Sequence, residues 1–333
     1  MQNNEIVVIN NLLDERLLQR PHIKIIRDNS YEKKVLNNIK EYWDDVHEFL
    51  SLKSKGQSRL FNESKVAIMS QLDSEITEIT LGKTSYFTSV ITNEACSHVI
   101  EKYGLIIKDF RVLFPIYFEN DQAYLEPIGV SSLMSNDIGI STLALTEDNY
   151  LFYWVQNQYA QQSQGSLAPT GSGSSDWDDT NKANNFISLI QYGMARELWE
   201  ESQLQNNSQY KLTKEDKLML AKNTYVIGFF RWVKRGGRPE FIGISRIHYK
   251  SHVPNPDKLE VTQILVDGTV VRPVKIESEK DVIKICDELL SGTKHSVGLS
   301  TPLNVLLNRL MSILKGDFGE KAKHEVKKLW KLT

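Results

Sequence analysis

The feature that most constrains the fold is the segment 224–249, TYVIGFFRWVKRGGRPEFIGISRIHY. It contains two long runs rich in β-branched and aromatic residues, separated by the turn-forming sequence Arg-Gly-Gly-Arg-Pro. Such runs around a Gly-Gly pair are typical of a β-hairpin. The sequence therefore predicts two neighbouring antiparallel strands, which any fold of this chain must place in one sheet.

The N-terminal part mixes strand-like and helix-like segments, which predicts an α+β fold. Strands are predicted at 5–10, 23–27, 65–72 and 76–82, and a helix at 31–50. The segment 85–104 is mixed, with its helical part expected in the second half. A hairpin is predicted from 112–120 and 122–128, with its turn at Asn120-Asp121. Because the character of the chain changes near residue 125, we predict two domains, an N-terminal α+β domain over 1–124 and a second domain over 125–333.

The C-terminal part predicts further paired strands and three helices. Strands in 138–158 are joined by the turn residues Glu147-Asp148-Asn149. A second strand pair is predicted at 258–266 and 269–276. Helices are predicted at 279–290, at 300–316 with Thr301 as N-cap and Gly316 as the stop, and at 320–332. The last helix is basic and amphipathic; it packs on the domain or serves a partner or a membrane surface.

Composition limits the class of protein. Of 333 residues, 41% are hydrophobic and 25% charged, and the net charge is −2, which is typical of a soluble globular protein without a nucleic-acid-binding footprint. The N-terminus lacks the pattern of a signal peptide, and no apolar run is long enough for a membrane span. Two cysteines form no disulfide framework or zinc motif. The sequence therefore predicts a cytoplasmic protein.

A long polar segment, 162–185, precedes a predicted helix. The segment is a flexible surface loop or a functional loop, since loops of this length in compact domains are often functional. The helix is predicted to begin after Asn185, a good N-cap residue. Its apolar stripe consists of Phe186, Ile187, Ile190, Met194 and Leu198.

Three carboxylates lie on one face of that helix. Glu197, Glu200 and Glu201 are spaced i, i+3, i+4, so they repel each other unless a positive charge lies among them. Arg196 reaches Glu200 at i+4. Two interpretations stay open: a solvated helix face, or a site for a divalent cation such as Mg²⁺, which prefers carboxylate oxygens.

The order of these residues resembles a known motif. The stretch RELWEESQL, residues 196–204, is similar to the second half of the Nudix box, Arg-Glu-U-X-Glu-Glu-X-Gly-U, where U is aliphatic. The order of strands, glycine-containing segment, helix and hairpin over about 125–315 agrees with a Nudix domain. The resemblance implies an α/β/α sandwich with a mixed β-sheet and hydrolysis of a nucleoside diphosphate linked to another group.

The first half of the box departs from the pattern Gly-X5-Glu-X7-Arg. Ser188 stands at the glutamate position and Lys182 at the glycine position. The family glycine then corresponds to Gly171 or Gly173, with an insertion before the helix. The candidates for the missing acid are Asp176, Asp178 and Asp179. Gln203 stands at the late glycine, which predicts a differently built turn.

The resemblance also implies roles for individual residues. Glu197, Glu200 and Glu201 would bind Mg²⁺ or Mn²⁺, together with a backbone carbonyl of Gly171 or Gly173. Glu197 would also act as a general base, and Arg196 would orient it through a charge-assisted hydrogen bond. Glu240 is a weak candidate for a further acid.

Substrate contacts are predicted on two other elements. Lys234, Arg235 and Arg238 lie at the hairpin tip, either as a solvated turn or as phosphate contacts. Tyr153, with Trp154 and Tyr159, either packs in the core or stacks on a nucleotide base. Three functions are therefore weighed: a metal-dependent diphosphate hydrolase, a nucleotide sensor without catalysis that signals through residues 1–124, and a protein-interaction scaffold that responds to neither Mg²⁺ nor nucleotides. That N-terminal part is expected to supply substrate specificity or the contacts of a homodimer.

Overall fold

The structure, a computed structural model, describes most of the chain. The described residues are 7–55, 62–110, 117–119, 122–125, 127–129, 133–157, 165–204, 214–258, 261–265, 268–295 and 297–333. The predicted turn at Asn120-Asp121 and the candidate Tyr159 lie outside these ranges.

The described elements mix strands and helices along the whole chain, which confirms the α+β class. The strands are β1 (Val7–Ile9), β2 (Lys24–Asp28), β3 (Ser64–Ile68), β4 (Glu78–Ser85), β5 (Val99–Lys102), β6 (Leu105–Asp109), β7 (Tyr117–Glu119), β8 (Gln122–Tyr124), β9 (Gly139–Leu145), β10 (Tyr150–Phe152), β11 (Trp154–Gln156), β12 (Leu167–Ala168), β13 (Gly171–Ser174), β14 (Thr224–Trp232), β15 (Arg238–Arg246), β16 (Val261–Thr262) and β17 (Val274–Lys275). The α-helices are α1 (Asn11–Leu18), α2 (Tyr31–Asn38), α3 (Trp43–Lys55), α4 (Tyr86–Ser89), α5 (Phe186–Glu201), α6 (Lys214–Lys222), α7 (Glu279–Leu290), α8 (Thr301–Lys315) and α9 (Gly319–Trp330).

The predicted hairpin forms the middle of the largest sheet. β14 and β15 pair antiparallel, and the turn between them uses Gly236 and Gly237 at positive φ. β15 then pairs parallel with β9, so the sheet is mixed. Its order is β1-β14-β15-β9-β10-β17, and β13 joins the edge of β9 beside β10.

Helices cover both faces of this sheet. On one face, α5 packs on Ile140 and Phe241, and Gly193 lets the helix come close, because a Cβ there would lie 2.7 Å from Ile140 Cδ1. On the other face, α7, α8 and α9 pack against Leu143 and Ile242. Side chains alternate between the faces of a strand, which explains why neighbouring residues of β9 and β15 serve different helices.

The N-terminal segments share this core. β1 pairs with β14, and α1 is tied to the same strand because the backbone N–H of Phe229 donates to Asp14 Oδ1 at 2.6 Å. Asp14 is fully buried and forms an ion pair with Arg309 of α8. A smaller sheet, β2-β4-β3, contributes side chains to the cluster under α5. The predicted division at residues 124 and 125 stays a prediction; segments on both sides of it share one sheet and one core.

Several predicted elements are wrong in detail. The helix over 31–50 is interrupted by a 3₁₀ turn at Lys40–Tyr42. In 85–104 the helical part comes first and includes a π-helical turn at Val90–Glu94, and strand β5 follows. The pair over 258–276 is confirmed beside its turn, where Ile264 bridges antiparallel to Val270, but its outer ends separate, because β16 pairs with β11 and β17 with β10. Ser300, not Thr301, caps α8, accepting from the N–H of Leu303.

The C-terminal helix packs on the domain, as one of the two interpretations predicts. Its buried residues Ala322, Val326 and Trp330 belong to the core cluster on the α8 face of the sheet. Among the described helices, none combines the length and apolarity needed to cross a membrane.

Candidate functional site

Helix α5 begins with a closed cap. Asn185 accepts a hydrogen bond from the Ser188 N–H at 3.0 Å, and Ser188 Oγ accepts from the Asn185 N–H at 3.2 Å. This capping box satisfies backbone donors of the first turn. Ser188, which stands where the Nudix box has glutamate, therefore stabilises the start of the helix.

Strand β13 lies directly beside α5, and two glycines allow the approach. A Cβ on Gly171 would lie 2.5 Å from the backbone of Leu198. A Cβ on Gly173 would lie 2.5 Å from Oε2 of Glu197 and closer still to its carboxyl carbon. Both distances are well inside van der Waals contact, so only glycine fits in these two positions as they stand.

The free edge of β13 holds two of the three glutamates. The N–H of Ser172 donates to Glu201 at 3.0 Å, and the N–H of Ser174 donates to Glu197 at 3.3 Å. Glu201 and Glu197 are only 3% and 9% exposed, whereas the Glu200 side chain is 44% exposed. The solvated-face interpretation therefore fails for Glu197 and Glu201, whereas Glu200 is compatible with both interpretations.

The carbonyl predicted as a metal ligand faces the wrong way. Backbone groups of successive strand residues point to opposite edges. Since the N–H groups of Ser172 and Ser174 point to α5, the backbone of Gly173 faces β9, with which it pairs at Ile140. The same alternation rules out Gly171. The register leaves the carbonyls of Ser172 and Ser174 on the side of α5, and that of Ser174 already accepts from Arg196, so a backbone ligand would come from Ser172.

Arg196 lies at the centre of the carboxylates. Its Nη1 donates to Glu197 at 2.9 Å, the contact that the sequence predicts, and to Glu200 at 3.3 Å. Its Nη2 donates to the Ser174 carbonyl at 2.6 Å. The arginine thus links the helix face to the edge of β13.

Two acids of the insertion also reach Arg196. Its Nε donates to both oxygens of Asp179, at 3.2 and 3.3 Å, and Asp176 Oδ2 lies 3.3 Å from Nη1. Asp178 is exposed. Burial raises the pKa of Asp179 against the opposing effect of Arg196. Of the three candidates for the missing box acid, the structure therefore places two at the arginine.

The helix ends with a left-handed residue at the late box position. Gln203 has φ of +45°, and its N–H bonds back to the Glu200 carbonyl at 3.0 Å. The expectation of a differently built turn is wrong, since the backbone adopts the conformation that favours glycine. A β-carbon in this conformation costs about 1–2 kcal/mol.

The chemical type of these ligands suits Mg²⁺ or Mn²⁺, because they are carboxylate oxygens on one helix face and Glu200 is accessible. Their arrangement is not that of a formed metal site. Within the described part of the chain, no group of three or more His, Cys, Asp or Glu side chains is arranged to hold a metal ion. The Arg196 guanidinium lies between the carboxylates, and β13 binds two of them.

The arginines of the hairpin tip are buried, so the solvated-turn alternative is wrong for them, and their contact with a phosphate stays a prediction. Arg238 donates to Asp137 at 2.6 Å and to Glu240 at 2.8 Å, and Arg235 donates to Glu94 at 2.7 Å. Burial, and then Arg238, lower the pKa of Arg235 to about 10. These side chains form an internal ion-pair network, and only Lys234 at this tip is exposed.

Glu240 does not join the carboxylates of α5. It pairs with Gly139, whereas the next residue of β9, Ile140, faces α5. Side-chain alternation therefore places Glu240 on the opposite face of the sheet. Burial raises its pKa, opposed by Arg238.

Tyr153 belongs to the core. It is 2% exposed, its hydroxyl lies 3.0 Å from His295 Nε2, and burial raises its pKa to about 12. Tyr153 therefore lies in the core, as one of its two alternatives predicts. Its ring exposes no face on which a base could stack.

Sequence reasoning missed Lys65. It is 7% exposed and its Nζ lies 2.6 Å from Asp176 Oδ1. A single lysine 111 residues before its partner gives no local signal.

Comparison with protein families and with curated proteins identifies no relative of this chain. No protein-family model matches the chain, and no curated protein matches it significantly. The Nudix resemblance therefore rests on residues 196–204 and their structural setting.

Proposed function

We propose that this chain is a metal-dependent hydrolase of Nudix type that cleaves the diphosphate linkage of a nucleoside diphosphate derivative. The observation that carries the proposal is the group formed by Arg196, Glu197, Glu200 and Glu201 against the glycine-containing strand β13. The Arg196–Glu197 contact of 2.9 Å agrees with the role that the motif implies. The α/β/α layering around a mixed sheet is compatible with that family.

Each side chain has a distinct task in this proposal. Glu197, Glu200 and Glu201 would hold Mg²⁺ or Mn²⁺, with the Ser172 carbonyl in place of that of Gly173. The bound ion would supply charge neutralisation on the diphosphate and an activated water. Glu197 would accept a proton from that water, and Arg196 would fix its orientation. The exposed Glu200 marks the side from which a polar ligand enters.

The test is a turnover screen followed by chromatography. Purified protein is incubated with Mg²⁺ or Mn²⁺ and a panel of dinucleotides, nucleotide sugars, ADP-ribose-like compounds and nucleoside triphosphates. Glu200→Gln is the main variant because its side chain is accessible and its loss leaves the core intact. Glu201→Gln is compared with it. Glu215→Gln is the control, since Glu215 is an exposed acid on the adjacent helix α6.

We expect cleavage of at least one compound, lowered about 100-fold or more by Glu200→Gln and Glu201→Gln and unchanged by Glu215→Gln. Chelation of the metal should abolish it. Absence of cleavage across the panel, or equal cleavage by all variants, would overturn the proposal.

A nucleotide sensor without catalysis is the second candidate. It is favoured by the buried bonds that Glu197 and Glu201 already make to Arg196 and β13, because a regulatory site does not require them to be released. Under this alternative, a nucleotide raises the melting temperature without being consumed. The signal would pass through the N-terminal segments that share the core.

A further inference from the structure

Lys65 connects the N-terminal sheet to the candidate site. Its strand, β3, runs beside the turn after β13, where the Val66 N–H donates to the Ser175 carbonyl at 2.9 Å. The ammonium group lies 2.6 Å from Asp176 Oδ1 and 2.8 Å from Glu63 Oε2. A lysine that is buried and bound by two carboxylates has a fixed position in the fold, unlike a mobile cation on the surface.

Asp176 stands between Lys65 and Arg196. One of its oxygens is bound by Lys65, and the other lies 3.3 Å from Arg196 Nη1. That same nitrogen also serves Glu197 and Glu200, at 2.9 and 3.3 Å. One Nη group has two hydrogens, so three carboxylates compete for it.

We propose that Lys65 is a positioning residue: by neutralising Asp176, it leaves Arg196 Nη1 available to orient Glu197. Residues of the insertion and of a strand of the N-terminal sheet thereby take the place of the missing first half of the box. The proposal rests on the proposed function for its kinetic consequences. The positioning role of Lys65 assigns residues 1–124 a function at the site that no motif within this segment predicts.

The charge balance supports this role. Without Lys65, the guanidinium of Arg196 faces four carboxylates, those of Asp176, Asp179, Glu197 and Glu200. Among the described residues, the further cation that pairs with one of them is Lys217, 3.8 Å from Glu200. Burial alone would lower the pKa of Lys65, but Asp176 and then Glu63 hold it above its ordinary value. Lys65 therefore stays charged in its buried position.

The kinetic test compares Lys65→Met, Lys65→Arg and the double variant Lys65→Met with Asp176→Asn. Lys65→Met should lower kcat about tenfold or more with little change in KM, because a small displacement of a catalytic group is costly. Lys65→Arg should restore kcat, since the charge returns. The double variant should recover most of it, because the uncharged amide that replaces the Asp176 carboxylate no longer competes for Arg196. Unchanged kcat in Lys65→Met, or no recovery in the double variant, would overturn the proposal.

A second measurement does not depend on turnover. A double-mutant cycle on the free energy of unfolding combines Lys65→Met with Glu197→Gln. We expect coupling, with Glu197→Gln costing less in the Lys65→Met protein, because Arg196 has already loosened its hold on Glu197. Lys24→Met is the control, since Lys24 pairs with Glu78 at 2.8 Å on the same sheet but at the surface.

The two measurements separate the failures. If the wild type cleaves nothing in the screen, the proposed function is wrong, and the cycle alone decides whether Lys65 positions Glu197. If the wild type cleaves and the cycle shows additivity equal to that of the Lys24 control, Lys65 has no such role.

Discussion

Gly173→Ala tests the contact between strand β13 and the helix that carries the carboxylates. The backbone of Gly173 is not in the left-handed region, so alanine is compatible with its conformation. The added Cβ would instead overlap the Glu197 carboxylate, whose Oε2 lies 2.5 Å from the Cβ position. Because the strand is fixed by its ladder to β9, we expect Glu197 to move.

The cost follows from the bonds that this movement breaks. Glu197 would lose the hydrogen bonds from Arg196 and from the Ser174 N–H. Hydrogen bonds to charged groups contribute about 1.5–3 kcal/mol each, and the smaller unfolded-state entropy of alanine returns about 0.4–1 kcal/mol. The free energy of unfolding should therefore fall by about 2–6 kcal/mol. Urea unfolding followed by circular dichroism measures it.

Two controls make the result decisive. Gly298→Ala adds the same methyl group where no heavy atom lies within 4 Å, and should leave stability nearly unchanged. In a Glu197→Ala protein, Gly173→Ala should cost little, because the carboxylate is absent. A Gly173→Ala protein as stable as Gly298→Ala would refute the close packing of Glu197 on β13.

Three further predictions concern stability in urea unfolding. Gln203→Gly should raise the free energy of unfolding by about 0.5–1 kcal/mol, since it relieves left-handed strain at some cost in unfolded-state entropy, whereas Gln203→Ala should not. Arg309→Met should lower it by about 3–5 kcal/mol by leaving the buried Asp14 carboxylate without its cation, and adding Asp14→Asn should recover most of the loss, because the amide oxygen still accepts from the Phe229 N–H. The hydrogen bond from Lys34 lowers the pKa of Asp28 to about 2. The stabilisation by the ionised Asp28 carboxylate is therefore complete above about pH 4 and is lost as the pH falls toward about 2. Asp28→Asn should flatten the dependence of the free energy of unfolding on pH in that range.

The sequence predicts best where the signal is local. The β14–β15 hairpin follows from its long apolar runs and Gly-Gly turn, and the start of α5 follows from Asn185. The Arg196–Glu197 contact also lies within the helix. In each case, the residues that determine the structure are close together in the chain.

Prediction fails where the partner is distant. Arg235 looks like a solvated turn residue because Glu94, which buries it as an ion pair, lies 141 residues away. The predicted pair over 258–276 is present beside its turn, but its outer ends, β16 and β17, pair with β11 and β10 because of tertiary packing. The orientation of the Gly173 carbonyl depends on which edge of β13 meets β9, and no pattern within the segment reveals this.

The pairing of β1 with β14 has a consequence for how the protein is made. Val7 aligns with Trp232, so β1 pairs with β14 only after the ribosome has delivered the hairpin. Contacts this distant in sequence slow folding, since a long loop must close before they form. Leu13 and Leu17 of α1 pack in one cluster with Phe229 of β14, so this part of the core is complete only after the central strands are synthesised. Completion of the sheet is in this sense a late event, so substitutions that weaken the β1–β14 edge should mainly speed unfolding and change the folding rate little.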